Sequence, residues 1–165
     1  MRRSPTLLHT AIALTLLLAT AGCDRGAHPE NLGHPAPLFK ISDGVQTLDL
    51  AQLRGRIVVL NLWASWCAPC VEELPSLLAL QHQMPQLAVV GVSIDQDDDV
   101  YRRFLTQHHV DLLTVRDSEQ RINALYGTAQ IPETYIIDRN GNLRRKFVSA
   151  QNWTSPEIED YLKHL

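Results

Sequence analysis

Two cysteines, Cys67 and Cys70, stand where an apolar run gives way to a helical pattern, and this junction constrains the fold most. Residues 57–63 are almost continuously apolar, which is typical of a strand covered on both faces. Residues 68–83 then repeat apolar side chains at helical spacing. We therefore expect a buried strand, a short loop and a helix that has Cys67 at its N-terminus and Cys70 about one turn further on.

The start of a helix suits a reactive thiol. Its unpaired N–H groups and the positive end of the helix dipole stabilise a thiolate at Cys67. A mixed disulfide formed at Cys67 is then within reach of Cys70, which lies on the same helical face. The spacing predicts a redox-active dithiol, in which Cys67 is the attacking nucleophile and Cys70 is the resolving thiol.

Three other interpretations of the cysteine pair fit less well. A structural disulfide that closes a loop of two residues removes very little entropy from the unfolded chain. A zinc site needs about four ligands, and the sequence has three cysteines with no second pair. Inert buried thiols do not require a helix start behind an aromatic residue. We expect no metal site, and no cofactor other than the Cys67–Cys70 disulfide itself.

The remainder of the chain predicts a single α/β domain over residues 37–165. Strand-like apolar runs alternate there with helical stretches. The indicated elements are a hairpin around Asp43-Gly44, a strand over 87–94, helices that begin near residues 97 and 118, a hairpin around Asn140-Gly141 and a closing helix near residue 156. The net charge of −3 leaves no basic surplus, so nucleic acid is not an expected partner.

The N-terminal residues have the pattern of an export signal. Arg2 and Arg3 precede an apolar run over 7–18, which is followed by small residues. The run is too short to cross a bilayer, and it lacks the polar face of a buried core helix. We expect a lipoprotein-type signal peptide at 1–22, a flexible tether rich in Gly, Pro, His and Asn at 23–36, and the folded domain at 37–165.

Residues 20–23, with the sequence Thr-Ala-Gly-Cys, resemble the lipobox of bacterial lipoproteins, although Thr20 stands where Leu is usual. The resemblance implies lipidation of Cys23 and an anchor of two or more acyl chains, which binds a membrane firmly. Asp24 resembles the signal that retains such proteins in the inner membrane. These residues together predict a protein anchored on the periplasmic side of the bacterial inner membrane. Plain secretion, with Cys23 removed or left free, is the alternative.

Three blocks of sequence carry a family resemblance. The first comprises Asn61, Trp63, Trp66-Cys67-Ala68-Pro69-Cys70, Glu73 and Pro75. The later two are residues 91–95 and 131–138. In this order the blocks closely resemble the TlpA/ResA-like family of membrane-anchored thioredoxin-fold thiol–disulfide oxidoreductases. Over residues 37–165 the resemblance implies a thioredoxin-like fold, in which helices flank a central mixed sheet and a β-hairpin is added at the N-terminus.

The same resemblance implies roles for residues around the dithiol. Ile131-Pro132 is similar to a loop in which a cis proline faces the cysteines and the backbone pairs with a substrate strand. This loop, Trp66 and Glu133 form the candidate substrate-binding site; an acidic residue beside the active site is a feature of the cytochrome c maturation branch. Glu73 follows Cys70 by three residues on nearly the same helical face. We therefore predict that Glu73 handles the proton of Cys70.

The direction of electron flow follows from the residues between the cysteines. Strong oxidants of this fold carry a His there, which stabilises the reduced thiolate, and Ala68-Pro69 offers no such charge. We therefore expect an extracytoplasmic disulfide reductase that acts on exported proteins such as apocytochrome c. A membrane thiol-electron transporter would supply its electrons.

Two other function classes remain as alternatives. A peroxiredoxin-like peroxidase needs a Thr or Ser three residues before its cysteine and a Pro four residues before that, and the sequence has Ala64 and Leu60 at these positions. A non-enzymatic copper chaperone of this fold spaces its cysteines one residue wider and adds a distal His. Neither pattern is evident in the sequence, so thiol–disulfide exchange is the preferred interpretation.

Overall fold

The computed structural model describes residues 31–165. The predicted signal peptide, the lipidation site Cys23 and most of the predicted tether lie outside these described residues. The elements follow in the order β1 (Lys40–Ser42), β2 (Thr47–Asp49), β3 (Val58–Trp63), α1 (Ala68–Gln83), β4 (Ala88–Ser93), α2 (Asp98–Gln107), β5 (Leu113–Arg116), α3 (Arg121–Tyr126), β6 (Glu133–Ile137), β7 (Leu143–Val148) and α4 (Pro156–Lys163). A 3-10 helix over Leu50–Leu53 connects β2 to β3. Within the described range, no helix is long and apolar enough to span a membrane.

Five strands form one mixed sheet in the order β5-β4-β3-β6-β7. Strands β3, β4 and β5 run parallel, whereas β6 is antiparallel to β3 and to β7. Strands β1 and β2 form a separate antiparallel hairpin. Every residue of β3 is buried, because this central strand has both of its faces covered. The mixed sheet and the N-terminal hairpin confirm the predicted fold class.

Helices cover both faces of the sheet, as predicted. On one face, α1 and α4 pack against β3 and β6 through Leu77, Leu80, Ile158 and Leu162. On the other face, α3 and the β1–β2 hairpin contribute Leu48, Ile122 and Tyr126 to the core. Helix α2 adds Tyr101 and Phe104, whose rings lie 6.1 and 5.3 Å from that of Trp63. The end of β3 is thereby enclosed by apolar side chains just before the cysteine pair begins.

The structure differs from the sequence prediction at two places. Strand β5 is not indicated by the pattern, because four residues are too few to reveal a period and the strand lies at the sheet edge. Contacts with the domain also begin before residue 37. Gly33 donates its N–H to the carbonyl of Leu143 at 2.7 Å, and Ala36 donates to the carbonyl of Gly141 at 2.9 Å. The described part of the predicted tether therefore lies against β7 and the turn that precedes it.

The strand directions bring the candidate site together at one edge of the sheet. The loop that holds Cys67 connects the carboxyl end of β3 to α1. Strand β6 runs in the opposite direction, and its first residue, Glu133, pairs with Leu62 near the end of β3. Ile131-Pro132, immediately before β6, therefore reaches the same edge as Cys67.

Candidate active site

The two cysteines lie at the start of α1, where the sequence predicts them. Cys67 is the N-cap residue, and its sulfur accepts the backbone N–H of Cys70 at 3.3 Å. The Cα atoms are 5.2 Å apart and the sulfurs form a disulfide. Pro69 occupies the first turn, where the missing N–H removes no helical hydrogen bond. Both side chains are largely covered, with exposed fractions of 6% for Cys67 and 4% for Cys70.

The surface beside Cys67 is apolar. Trp66 is 66% exposed although it is a large aromatic residue. The sulfur of Cys67 lies 3.7 Å from the carbonyl oxygen of Ile131. The Ile131–Pro132 peptide bond is cis, as the family resemblance implies. The structure therefore brings the cysteine pair, Trp66 and the Ile131-Pro132 loop together at one place.

A buried carboxylate, Asp95, holds the loop that precedes Cys67. Its oxygens accept the N–H of Ser65 at 3.0 Å, the hydroxyl of Ser65 at 2.6 Å and the hydroxyl of Ser93 at 2.6 Å. Asp95 is 1% exposed, so these hydrogen bonds satisfy it without solvent. Sequence reasoning missed this role. The available signal was the position of Asp95 just beyond β4, at the same sheet edge as the Cys67 loop.

Glu73 is buried on the α1 side of the sheet and is held by uncharged donors. Its Oε1 accepts the amide of Asn61 at 2.8 Å. Its Oε2 accepts the backbone N–H of Gln151 at 3.0 Å and the indole N–H of Trp153 at 3.1 Å. Burial raises the pKa of Glu73 above its ordinary value of 4.5, and the three donors partly oppose that rise. Among the described residues, no cationic side chain forms an ion pair with Glu73.

Glu133 occupies a different environment from the one the sequence indicates. The resemblance assigns it to the substrate-binding site, but the structure buries its side chain to 1% exposure. Its Oε1 lies 2.8 Å from Nζ of Lys146, and its Oε2 accepts the hydroxyl of Tyr135 at 2.8 Å. The side chain of Lys146 is itself only 5% exposed. The carboxylate is therefore compensated within the sheet and is not presented to a ligand.

Besides Asp95, sequence reasoning missed three partners of the two glutamates, namely Gln151, Trp153 and Lys146. Gln151 and Trp153 lie 78 and 80 residues from Glu73 along the chain. Lys146 belongs to a run of three cations on the edge strand, where charges ordinarily face water. In the part of the chain that the structure describes, no group of three or more His, Cys, Asp or Glu side chains is arranged to hold a metal ion.

Comparison with known proteins gives the family. A model of the AhpC/TSA family matches residues 32–146. Thiol-disulfide oxidoreductase ResA of Bacillus thuringiensis (strain Al Hakam) is 28% identical over 137 residues, which cover 81% of this chain and 78% of that protein. Thiol:disulfide interchange protein DsbE of Pseudomonas aeruginosa is 31% identical over 123 residues, which cover 72% of this chain and 67% of that protein.

A solved structure agrees with these sequence matches. The crystal structure of a Chlorobium tepidum protein, assigned as a thiol:disulfide interchange protein DsbE, superposes with a TM-score of 0.73 at 26% identity. The match covers 79% of this chain and 94% of that one. The thioredoxin-like fold and the ResA-like resemblance predicted from the sequence are both confirmed. The chain belongs to the AhpC/TSA family, within which it is a thiol–disulfide oxidoreductase of the ResA/DsbE type.

Proposed function

We propose that this protein is an extracytoplasmic disulfide reductase that uses Cys67 and Cys70 and needs no cofactor beyond them. The observation that carries the proposal is the position of the pair at the N-terminus of α1, with Cys67 as the N-cap and the Ile131-Pro132 loop beside its sulfur. In the reduced protein, this helix end stabilises the thiolate of Cys67. The exposed ring of Trp66 and the backbone of Ile131 are the surfaces that a substrate peptide would contact.

The reaction proceeds in two exchanges. The thiolate of Cys67 attacks one sulfur of the substrate disulfide, so that bond breaks, a mixed disulfide forms and the first substrate thiolate leaves and takes up a proton from water. Cys70 then gives its proton to the Glu73 carboxylate, and its thiolate attacks the sulfur of Cys67. The second substrate thiolate leaves and is protonated in turn. Two electrons pass to the substrate, and the protein is left with the Cys67–Cys70 disulfide.

The proposal also covers the direction of electron flow and the redox partners of the protein. Ala68-Pro69 places no positive charge between the cysteines to favour the reduced form, which suits a reductant. The substrates are oxidised cysteine pairs of exported proteins, with the haem-binding cysteines of apocytochrome c as the leading example. A membrane thiol-electron transporter returns the disulfide to the dithiol. The lipobox-like residues support anchoring through Cys23 on the periplasmic side of the inner membrane, and a Cys23→Ser variant tests this by leaving the membrane fraction.

Trapping with a defined substrate tests the proposed chemistry. The probe is an oxidised peptide that contains a Cys-x-x-Cys-His haem motif, mixed with the reduced protein and followed by mass spectrometry. Cys70→Ser is expected to accumulate a mixed disulfide through Cys67, because the resolving thiol is gone. Cys67→Ser, the matched control, is expected to form none. Equal trapping by the two variants, or no reduction of the peptide by the unaltered dithiol, would contradict the proposal.

A further inference from the structure

A short segment between β7 and α4, residues 149–153, lies against the buried face of α1. The backbone N–H of Gln151 and the indole N–H of Trp153 both donate to Oε2 of Glu73, at 3.0 and 3.1 Å. The hydroxyl of Ser76, one turn further along α1, accepts the backbone N–H of Trp153 at 3.1 Å. Its single hydrogen has two acceptors in reach, the backbone carbonyl of Glu73 at 2.8 Å and that of Gln151 at 3.3 Å. The segment is therefore held against α1 at the Glu73 carboxylate and again at Ser76, one turn further along.

We propose that Trp153 is a positioning residue that holds the Glu73 carboxylate in its proton-accepting form and in a fixed orientation, three residues after Cys70 on α1. This inference rests on the proposed function, in which Glu73 receives the proton of Cys70. Among the described residues, the hydrogen bonds and the ring pair of Trp153 involve neither the cysteines nor the Ile131-Pro132 loop. Its effect on the reaction passes through Glu73.

The indole ring of Trp153 has little freedom to move away. Trp153 is fully buried, and its ring packs edge-to-face against Phe147 with centroids 5.3 Å apart. The adjacent backbone is held by the N–H of Ser149, which donates to the carbonyl of Pro132 at 3.0 Å. A rigid ring in this setting keeps its N–H directed at one carboxylate oxygen.

The hydrogen-bond donors around Glu73 all lower its pKa. An indole N–H and a backbone N–H only donate, so each favours the ionised carboxylate over the protonated acid, which would need an acceptor. The amide of Asn61 on β3 donates to the other oxygen. These bonds lower the pKa of Glu73, whereas burial raises it. Removing one donor therefore raises the pKa of Glu73 further.

The groups that face Glu73 come from three elements. Strand β3 contributes Asn61, whose amide also donates to Thr134 on β6. The segment after β7 contributes Gln151 and Trp153. On α1 itself, Cys70 precedes Glu73 by three residues and lines the same small cavity as Asn61. Of these groups, only the Cys70 thiol of the reduced protein titrates. A change in pH dependence on altering Trp153 would thus be assigned to Glu73 and the thiol that it serves.

The test uses Trp153→Phe in the full chain, which keeps an aromatic ring and removes the N–H. Reduced protein is mixed with Ellman's reagent across a range of pH. The first thionitrobenzoate released reports attack by Cys67, and the second reports resolution by Cys70. We expect the pH midpoint of the second step to move upward by about one pH unit, since a hydrogen bond to a charged group is lost. The rate of the second step at high pH and the rate of the first step are both expected to stay within about twofold of the rates of the parent protein.

Two further variants make the outcome decisive. In a Glu73→Gln background, Trp153→Phe is expected to move no midpoint, because the titrating carboxyl group is absent. Ser76→Ala, at a half-buried position, loosens the same segment without removing core volume and is expected to shift the midpoint in the same direction by less. If Trp153→Phe fails to fold, Ser76→Ala provides the test in its place.

The results distinguish a failure of the proposed function of Glu73 from a failure of the inference about Trp153. If Glu73→Gln leaves the pH profile of the second step unchanged, the proton-handling part of the proposed function fails, and this inference fails with it. Glu73→Gln can remove the pH dependence of the second step while Trp153→Phe and Ser76→Ala leave its pH midpoint unchanged. In that case only the positioning inference is overturned. A fall in the plateau rate with no shift in midpoint would likewise assign Trp153 a purely structural role.

Discussion

Two glutamates lie buried on opposite faces of the sheet near the cysteine pair, and their surroundings differ in charge. Glu73 is 3% exposed and Glu133 is 1% exposed. Each accepts hydrogen bonds at both of its carboxylate oxygens. Glu73 is held by an amide, a backbone N–H and an indole, none of which carries a charge. Glu133 is held by the ammonium group of Lys146 and the hydroxyl of Tyr135.

The comparison shows that burial alone does not determine what a carboxylate does. Around Glu73 the desolvation of the charged form is only partly offset by the three donors, so the pKa of Glu73 lies above its ordinary value. Around Glu133 an adjacent cation balances the charge, which makes the pair a structural unit. The proposed proton handling therefore rests on Glu73, whereas Glu133 belongs with Lys146 to the paired strands β6 and β7.

The largest expected effect comes from removing the cation on the Glu133 side. Lys146→Met leaves the Glu133 carboxylate buried with the hydroxyl of Tyr135 but without a cation. This is expected to lower the free energy of unfolding by about 3–5 kcal/mol, measured by urea titration. The double variant Lys146→Met, Glu133→Gln should recover much of that loss, because no unpaired charge remains. Lys40→Met breaks the exposed pair with Asp49 and is the matched control, with an expected loss below about 1 kcal/mol. Equal losses for the two single variants would refute the structural role of the Glu133–Lys146 pair.

The second effect is kinetic and lies on the Glu73 side. Glu73→Gln keeps the shape of the side chain but removes the proton acceptor, so resolution by Cys70 should slow by about a hundredfold or more while attack by Cys67 changes little. Single-turnover quenching should therefore show a mixed disulfide that accumulates in this variant. Glu72→Gln alters an exposed neighbour on the same helix and should not accumulate it. Identical behaviour of the two variants would reduce Glu73 to a buried helix carboxylate.

The smallest effect is a pH dependence of stability. Because the pKa of Glu73 is higher in the folded chain than its ordinary 4.5, the folded state binds this proton more tightly. That contribution to stability is fully present below the ordinary value and is lost as the pH rises through the folded value. The loss amounts to about 1.4 kcal/mol for each pH unit between the two values. Urea titrations should show the parent protein losing stability relative to Glu73→Gln over this interval, and parallel curves would disagree with the account.

Apart from β5, the elements were predictable from local pattern, and so were the cysteines, whereas the long-range partners of the two glutamates were not. The apolar run of β3 and the spacing of α1 mark the position of Cys67 within a few residues of sequence. Glu73 follows from its position one turn after Cys70. The indole that holds it comes from Trp153, which reaches it only after the sheet is assembled and the chain has turned back past β7.

The environment of Glu133 likewise could not be predicted from local sequence. Its position after Pro132 suggests a residue open to a ligand, and a lysine on an edge strand suggests a solvated charge. Only the pairing of β6 with β7 shows that these side chains meet, because Tyr135 stands opposite Lys146 and Glu133 lies two residues away on the same face. Charge compensation across two strands depends on their pairing register. Neither the sequence of β6 nor that of β7 determines this register by itself.

The proton affinity of Glu73 can be measured without altering the residues around it. The side-chain carboxyl carbon of Glu73 can be followed by carbon-13 NMR across pH in the disulfide form of the protein, with its signal assigned by its absence in Glu73→Gln. We expect a titration midpoint above the ordinary value of 4.5, because burial outweighs the three donors. A midpoint at or below that value would show that the donors dominate, and it would contradict the assignment of Glu73 as the residue that takes up the proton of Cys70.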